Sequence, residues 1–307
     1  MPGCKAAAKK ASTRSAWVIY LQKYNTCKGL IPAWNGKRFL SKRRLRLNSK
    51  FQYTLLFFIL LLLHVAAGVY FNGYSPWWLL ACVLACLAVL TLGSICIRWN
   101  FYLRSVNHLP ILNVKFDGSQ LSVQQRGKQI ALTFDDGPAG YSETILDCLK
   151  VENVSATFFL IGKNIAGREQ IVRRMKAEGH SIANHSFDHG FNFDWQSAAK
   201  MQADIEQTND VIEAVTGTPV KLFRPPYGVT NPNLAKAIRN SGMKSIGWNL
   251  RSLDTAAKDP QQLLNKILKK VKAGDIILLH DRCAITAGIL PQLIAELKRR
   301  GFDFATL

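Results

Sequence analysis

The chain has 307 residues, with 40 Lys and Arg against 20 Asp and Glu. The excess is local: residues 1–116 carry 16 basic and no acidic side chains, and residues 117–307 carry 24 against 20. That split excludes a uniformly basic nucleic-acid-binding domain and leaves room for one large, nearly neutral domain behind a basic, apolar appendage.

Residues 1–50 hold 13 Lys and Arg and little apolar periodicity, and they read as a basic cytoplasmic tail. Phe51–Phe71 and Trp77–Ile97 are each 21 residues without a charge, long enough to cross a bilayer. Only Asn72-Gly73-Tyr74-Ser75-Pro76 separates them, so the expectation is a transmembrane helical hairpin over 51–97. The apolar length and the long basic tail argue against a cleaved signal peptide. Tyr53, Tyr70, Tyr74, Trp77, Trp78, Trp99 and Tyr102 cluster near the run ends, as interfacial aromatics do. His64 inside the first run reads as a hydrogen bond to the neighbouring helix, with a functional group at membrane depth as the alternative. The connecting turn has no Lys or Arg, whereas Arg43–Lys50, Arg98 and Arg104 flank the pair. The positive-inside rule puts both flanks in the cytoplasm, with a periplasmic catalytic domain as the alternative.

Residues 98–127 read as a juxtamembrane linker, with a small hairpin turning at Asp117-Gly118. From Lys128 the pattern becomes regular. Strands are expected at Ile130–Phe134, Ala156–Ile161, up to Asn184, Leu222–Phe223, Lys244–Trp248, Asp275–Leu279 and Phe302–Thr306. Helices alternate with them: from a Ser142 cap to Val151, Glu169–Glu178, Ser197–Thr216, Pro232–Ser241, Gln261–Lys272 and Ala287–Arg300. Gly179, Gly217, Gly242, Gly274 and Gly301 follow five of these helices. About seven strand–helix repeats argue an α/β fold with a parallel sheet, expected to close as a (β/α)7–8 barrel, with an open doubly wound sheet as the alternative. No G-x-G-x-x-G follows the first strand, which counts against a dinucleotide fold. The seven cysteines contain no Cys-x-x-Cys pair, so neither a cysteine zinc site nor a disulfide framework is expected.

The strand ends carry the chemistry. Asp135-Asp136 ends the first regular strand; alone it reads either as a solvated Asp-Gly turn or as two adjacent carboxylates whose repulsion a cation held by one of them would compensate. His185 and His189 stand four apart; alone they could be two surface histidines, but with Asp136 they form a set of two imidazoles and one carboxylate. Arg224-Pro225-Pro226-Tyr227, Asp254 and His280-Asp281 stand at later strand ends, and Asp281 reads as a helix cap.

The ordered runs Thr133-Phe134-Asp135-Asp136-Gly137, His185-Ser186-Phe187-Asp188-His189, Arg224-Pro225-Pro226-Tyr227 and Leu278-Leu279-His280 resemble the polysaccharide deacetylase family (NodB homology, carbohydrate esterase family 4). The resemblance covers roughly residues 128–307 and implies a distorted, NodB-like (β/α) barrel as the catalytic domain. It implies a metal-dependent hydrolase acting on carbon–nitrogen bonds other than peptide bonds, one that removes an acetyl or other acyl group from an amino sugar. By the same resemblance Asp136, His185 and His189 hold a divalent metal, usually zinc, with cobalt or another divalent ion as alternatives. Asp135 is the general base, Arg224 positions it, and His280 is the general acid. Tyr227 offers a backbone N–H to the oxyanion, and Leu278 walls the acetyl pocket. Where the family often has D-x-x-D-W, this chain has Arg251, Asp254 and Thr255, which leaves Asp254 as the partner of His280. Arg251 reads either as a contact to a substrate phosphate or carboxylate, or as an ordinary salt bridge.

The expected partners are a carbohydrate or glycolipid and the bilayer, with no nucleic acid. The expected place is a bacterial inner membrane, with the N-terminus cytoplasmic. A membrane glycan-binding protein that keeps the scaffold without the chemistry is the alternative.

Overall fold

A computed structural model describes residues 49–307 apart from 111, 117–120 and 126. The basic tail up to residue 48 and the expected Asp117-Gly118 turn lie outside the described residues.

Two uncharged runs become two helices, α1 (Ser49–Asn72) and α2 (Trp77–Ile95), with mean hydropathies of 2.3 and 2.4 over their most apolar stretches. By length and composition each can cross a membrane, and few of their residues are buried. The second helix stops two residues before the expected Ile97. Ile97 is only 3% exposed and packs with Leu109, Trp248 and Leu278, so the domain core claims it. Tyr102 is likewise buried, its hydroxyl donating to the Leu90 carbonyl at 3.1 Å, and is not an interfacial anchor. His64 lies exposed on α1 and makes no hydrogen bond to α2 among the described residues. Its polar ring therefore faces the same surroundings as its leucine neighbours.

The α/β domain is built on strands β1 (Ser105–Val106), β4 (Lys128–Gly137), β5 (Thr157–Leu160), β6 (Ser181–Asn184), β7 (Leu222–Phe223), β8 (Lys244–Ile246), β9 (Leu250–Arg251), β10 (Ile276–His280) and β11 (Phe302–Phe304). β2 (Leu112–Phe116) and β3 (Leu121–Gln125) form a separate antiparallel pair. The main sheet runs β1-β8-β7-β6-β5-β4-β10-β9, with β11 beside the start of β4, and all its pairings are parallel. The expected linker thus contributes the edge strand β1.

The expected barrel does not close. β1 and β9 lie at opposite ends of the order and do not pair with each other. Each is two residues long, too short to carry a ladder across the gap. Apolar side chains fill it instead: Ile97, Leu109 and Trp248 pack against Ala131, Ile276 and Leu278 of β4 and β10. The result is a parallel half-barrel.

Helices α3 (Ser142–Val151), α4 (Glu169–Ala177), α5 (Ala198–Thr216), α6 (Pro232–Ser241), α7 (Pro260–Lys270) and α8 (Ala284–Arg299) cover the sheet. Their apolar stripes bury Ile145, Leu149, Val172, Leu264, Leu290 and Leu293 against Leu132, Phe134 and Phe158. The two longest strands of the sheet, β4 and β10, lie side by side, Thr133 opposite Leu278 and Asp135 opposite His280. Their polar ends therefore meet at one edge of the sheet.

Candidate active site

In a regular strand Asp135 and Asp136 point to opposite faces. Here the register of β4 against β5 slips between Asp135 and Gly137, so Asp136 is the extra residue of a bulge, with φ +73°. The bulge turns both carboxylates to one side. His185 Nε2 lies 3.6 Å from Asp135 Oδ2 and 3.6 Å from Asp136 Oδ1.

The two histidines come from the loop after β6. Asn184 Oδ1 accepts from the Ser186 N–H, Ser186 Oγ accepts from the His189 N–H, and Asp204 Oδ1 of α5 accepts from the Phe187 N–H. Ser186 and His189 both hold positive φ, at +69° and +52°. Such backbone strain persists where the surroundings enforce it. His185 Nδ1 lies 2.8 Å from the Arg224 carbonyl, which assigns the proton to Nδ1 and leaves Nε2 with a lone pair. His189 Nε2 is 3.7 Å from Asp136 Oδ1. Burial, then the neighbouring His185, pushes the pKa of His189 down to about 4, so it is neutral near pH 7.

One donor atom from each of Asp136, His185 and His189 lies within 4.8 Å of the others. Two imidazoles and a carboxylate, oriented by backbone hydrogen bonds, fit a divalent cation and leave positions for water. Burial resists ionisation of Asp136. His185, His280, His189 and a hydrogen bond from Arg282 outweigh it and hold the pKa below the carboxylate norm.

Arg224 is fully buried beside the other acid. Its Nη1 donates to Asp135 Oδ1 at 2.6 Å and to Thr133 Oγ1 at 2.8 Å, its Nη2 donates to the Gly247 carbonyl at 2.9 Å, and its plane lies over the Phe159 ring at 3.9 Å. This bracing fixes the direction of the Asp135 carboxylate.

At the end of β10, His280 Nδ1 meets Asp254 Oδ1 at 2.8 Å. Asp254 Oδ2 accepts from the His280 N–H at 2.8 Å and from Thr286 Oγ1 at 2.6 Å. Burial works to lower the His280 pKa. The Asp254 hydrogen bond and charge, with Asp135 and Asp136 beyond, raise it above the usual histidine value. Tyr227 holds φ +57°, and its ring centroid lies 4.6 Å from that of His189. Leu278 is buried on β10 opposite Thr133 and packs with Trp248.

The structure thus brings Asp135, Asp136, His185, His189, Arg224, Tyr227, Asp254 and His280 to one end of the sheet, and leaves Leu278 within β10, packed on Trp248. Two readings of neighbouring residues change. Asp281 caps no helix: it is buried, accepts a 2.5 Å hydrogen bond from Ser142 Oγ, and has its pKa pushed up to about 7 by burial. Ser142 correspondingly serves Asp281 and the Ala139 N–H rather than the start of α3. Arg251 forms no salt bridge among the described residues and lies over Trp248 at 5.9 Å.

Sequence reasoning missed Arg282. Its Nε donates to Asp136 Oδ2 at 2.6 Å, so each adjacent acid has its own guanidinium. A lone arginine two residues past His280 carries no pattern, and its partner lies 146 residues away. Phe159, which braces Arg224, reads only as a strand residue, and Thr133, part of the first motif run, carries no sign of that bracing role.

Residues 122–246 match the polysaccharide deacetylase family. The chain is 32% identical over 248 residues to the peptidoglycan-N-acetylmuramic acid deacetylase PdaA of Bacillus subtilis, covering 74% of this chain and 93% of that one. The chain belongs to the polysaccharide deacetylase family, carbohydrate esterase family 4. It is a hydrolase acting on carbon–nitrogen bonds. Another relative is the peptidoglycan-N-acetylglucosamine deacetylase PgdA of Listeria monocytogenes, 35% identical over 59% of this chain and 38% of its own length. Among solved structures, the Bc1960 peptidoglycan N-acetylglucosamine deacetylase superposes with a TM-score of 0.56 at 32% identity, covering 59% of this chain and 86% of that one. The deacetylase family is metal-dependent, and the Asp136, His185, His189 cluster has donor atoms close enough together to hold a metal ion.

Proposed function

We propose that this chain is a membrane-anchored, metal-dependent deacetylase that removes an N-acetyl group from an amino sugar of a bacterial cell-wall polysaccharide or its precursor. The observation that carries the reading is the convergence of three metal-donor atoms on the bulge that also presents the Arg224-braced Asp135, with the His280–Asp254 pair on the adjacent strand. Asp136, His185 and His189 hold the cation, with zinc the first choice. Bound there, it polarises the amide carbonyl and makes its water more acidic.

The remaining work falls to the chain's own groups. Asp135 accepts the proton of the attacking water, and Arg224 and Thr133 keep its carboxylate aimed. The Tyr227 N–H contributes to stabilising the oxyanion. His280, kept protonated to higher pH by Asp254, gives its proton to the departing amine as the C–N bond breaks. The products are acetate and a free amino sugar. Leu278 walls the acetyl group.

Arg251 supports a substrate with an acidic substituent: its guanidinium is exposed at the end of β9 and unpaired by any carboxylate among the described residues. The relative PdaA acts on N-acetylmuramic acid, which carries a carboxylate. Helices α1 and α2 support anchoring, and the charge pattern of their flanks supports a catalytic domain on the side of the N-terminus, in the cytoplasm of a bacterial inner membrane.

The test is acetate release by the purified full chain supplied with zinc or cobalt. The substrates are N-acetylglucosamine and N-acetylmuramic acid oligosaccharides, and the Asp136→Ala variant runs beside wild type. Release by wild type alone is expected. Release undiminished in Asp136→Ala overturns the metal-dependent mechanism.

A further inference from the structure

The carbonyl of Ser94, in the last turn of α2, accepts the Thr230 N–H at 2.9 Å, and Ser94 Oγ donates to the Thr230 carbonyl at 2.7 Å. Thr230 lies three residues past Tyr227. The next buried residue after the helix, Ile97, packs on Trp248, which lies against Gly228 and near Arg224. The candidate span is thus bonded to the catalytic end of the sheet through Ser94, and one turn earlier its Leu90 carbonyl accepts from the Tyr102 hydroxyl just before β1.

That same end carries most of the domain's exposed apolar surface. Beyond residue 99, seven large apolar side chains are exposed among the described residues. Five of them, Tyr141, Phe191, Trp195, Tyr227 and Leu253, follow the C-terminal ends of strands and ring the site. Phe191 and Trp195 are each 87% exposed. Their loop is tied to the start of α6, immediately after Thr230, by Asn231 Nδ2 donating to the Asp194 carbonyl and Asn233 Nδ2 donating to the Gln196 carbonyl. The other highly exposed side chain, Val151, stands at the end of α3, which leads to the opposite end of the sheet.

We propose that the catalytic face lies on the bilayer surface, with Phe191 and Trp195 seated in the headgroup region, so that the enzyme takes its amino sugar from a lipid carrier rather than from free chains. Continuity with the span selects this occupant: a bilayer crossed by α2 begins where Ser94 meets Thr230. Trp and Phe beside that junction suit the interface, where apolar area is buried and an indole N–H stays hydrated. The inference rests on the anchoring read for α1 and α2 above.

The test uses the full chain in phosphatidylethanolamine–phosphatidylglycerol vesicles, with a photo-cross-linking amino acid placed singly at 84, 151, 191 or 195. Lipid adducts are expected at 84, 191 and 195 and none at 151. Adducts at 84 without adducts at 191 and 195 overturn the surface proposal and leave the anchoring intact. No adduct at 84 overturns the anchoring, and this inference with it. The double variant Phe191→Ser, Trp195→Ser supplies a second readout. About a tenfold loss of kcat/KM on a lipid-linked N-acetylglucosamine in vesicles is expected, with unchanged rates on soluble oligosaccharide. Equal losses on both make the aromatics a sugar platform and overturn the proposal. If wild type acts on neither substrate, the deacetylase reading has failed, and the adduct pattern still decides the surface.

Discussion

The hairpin and the catalytic face invert ordinary protein packing in opposite senses. On α1, Leu60 and Leu63 are 58% and 62% exposed, while leucines of identical chemistry on β4 and α3 are fully buried. At the strand ends the reverse holds: Arg224, Asp254, Asp135 and Asp136 are all buried. Each inversion needs a compensating partner. For exposed leucines, on the anchoring proposed above, it is an apolar solvent, since contiguous apolar surface of this extent marks an interaction site. For buried charges it is an opposite charge or a cation at hydrogen-bond distance. The difference teaches where to look: the hairpin is explained by what surrounds the protein, and the face by what the protein holds.

The contrast can be broken from the polar side first. Arg224→Met leaves Asp135 buried without its guanidinium, so a loss of about 3–5 kcal/mol is expected along with activity. Thermal unfolding of the full chain in detergent measures the first and acetate release the second. Asp135→Asn keeps the shape and removes the proton acceptor. A drop of about 10²–10⁴ in kcat is expected, with zinc binding retained by equilibrium dialysis.

Asp254→Asn removes what holds the His280 pKa up. The alkaline limb of kcat/KM, set by deprotonation of His280, should move to lower pH, and an unmoved limb would separate His280 from the acid step. Arg282→Ala frees Asp136 Oδ2 from its hydrogen bond. Metal affinity is expected to change by about 10–100-fold, read by competition with a chromophoric chelator.

The smallest effect sharpens the apolar side. Leu132→Ala in the core should cost about 2–5 kcal/mol of unfolding free energy. Leu63→Ala on the hairpin should leave the unfolding of the α/β domain nearly unchanged. Comparable losses would mean that α1 faces protein rather than lipid.

By itself the sequence determined the order and type of nearly every element from Lys128 onward, because helix and strand periods, proline starts and glycine stops act over a few residues. It also placed the acids, histidines and arginine at strand ends, since a buried strand that stops at a charge announces where the sheet meets solvent. The uncharged lengths of α1 and α2 were legible for the same local reason. Only the tertiary structure decided that the barrel stays open, because closure depends on pairing between distant short strands and on Ile97, Leu109 and Trp248 filling the gap. It alone decided that Asp136 sits in a bulge and turns to the side of Asp135, a one-residue slip against β5 that leaves no local mark. It also brought Arg282 to Asp136 and Ser94 to Thr230, contacts made across 146 and 136 residues, which no pattern along the chain encodes.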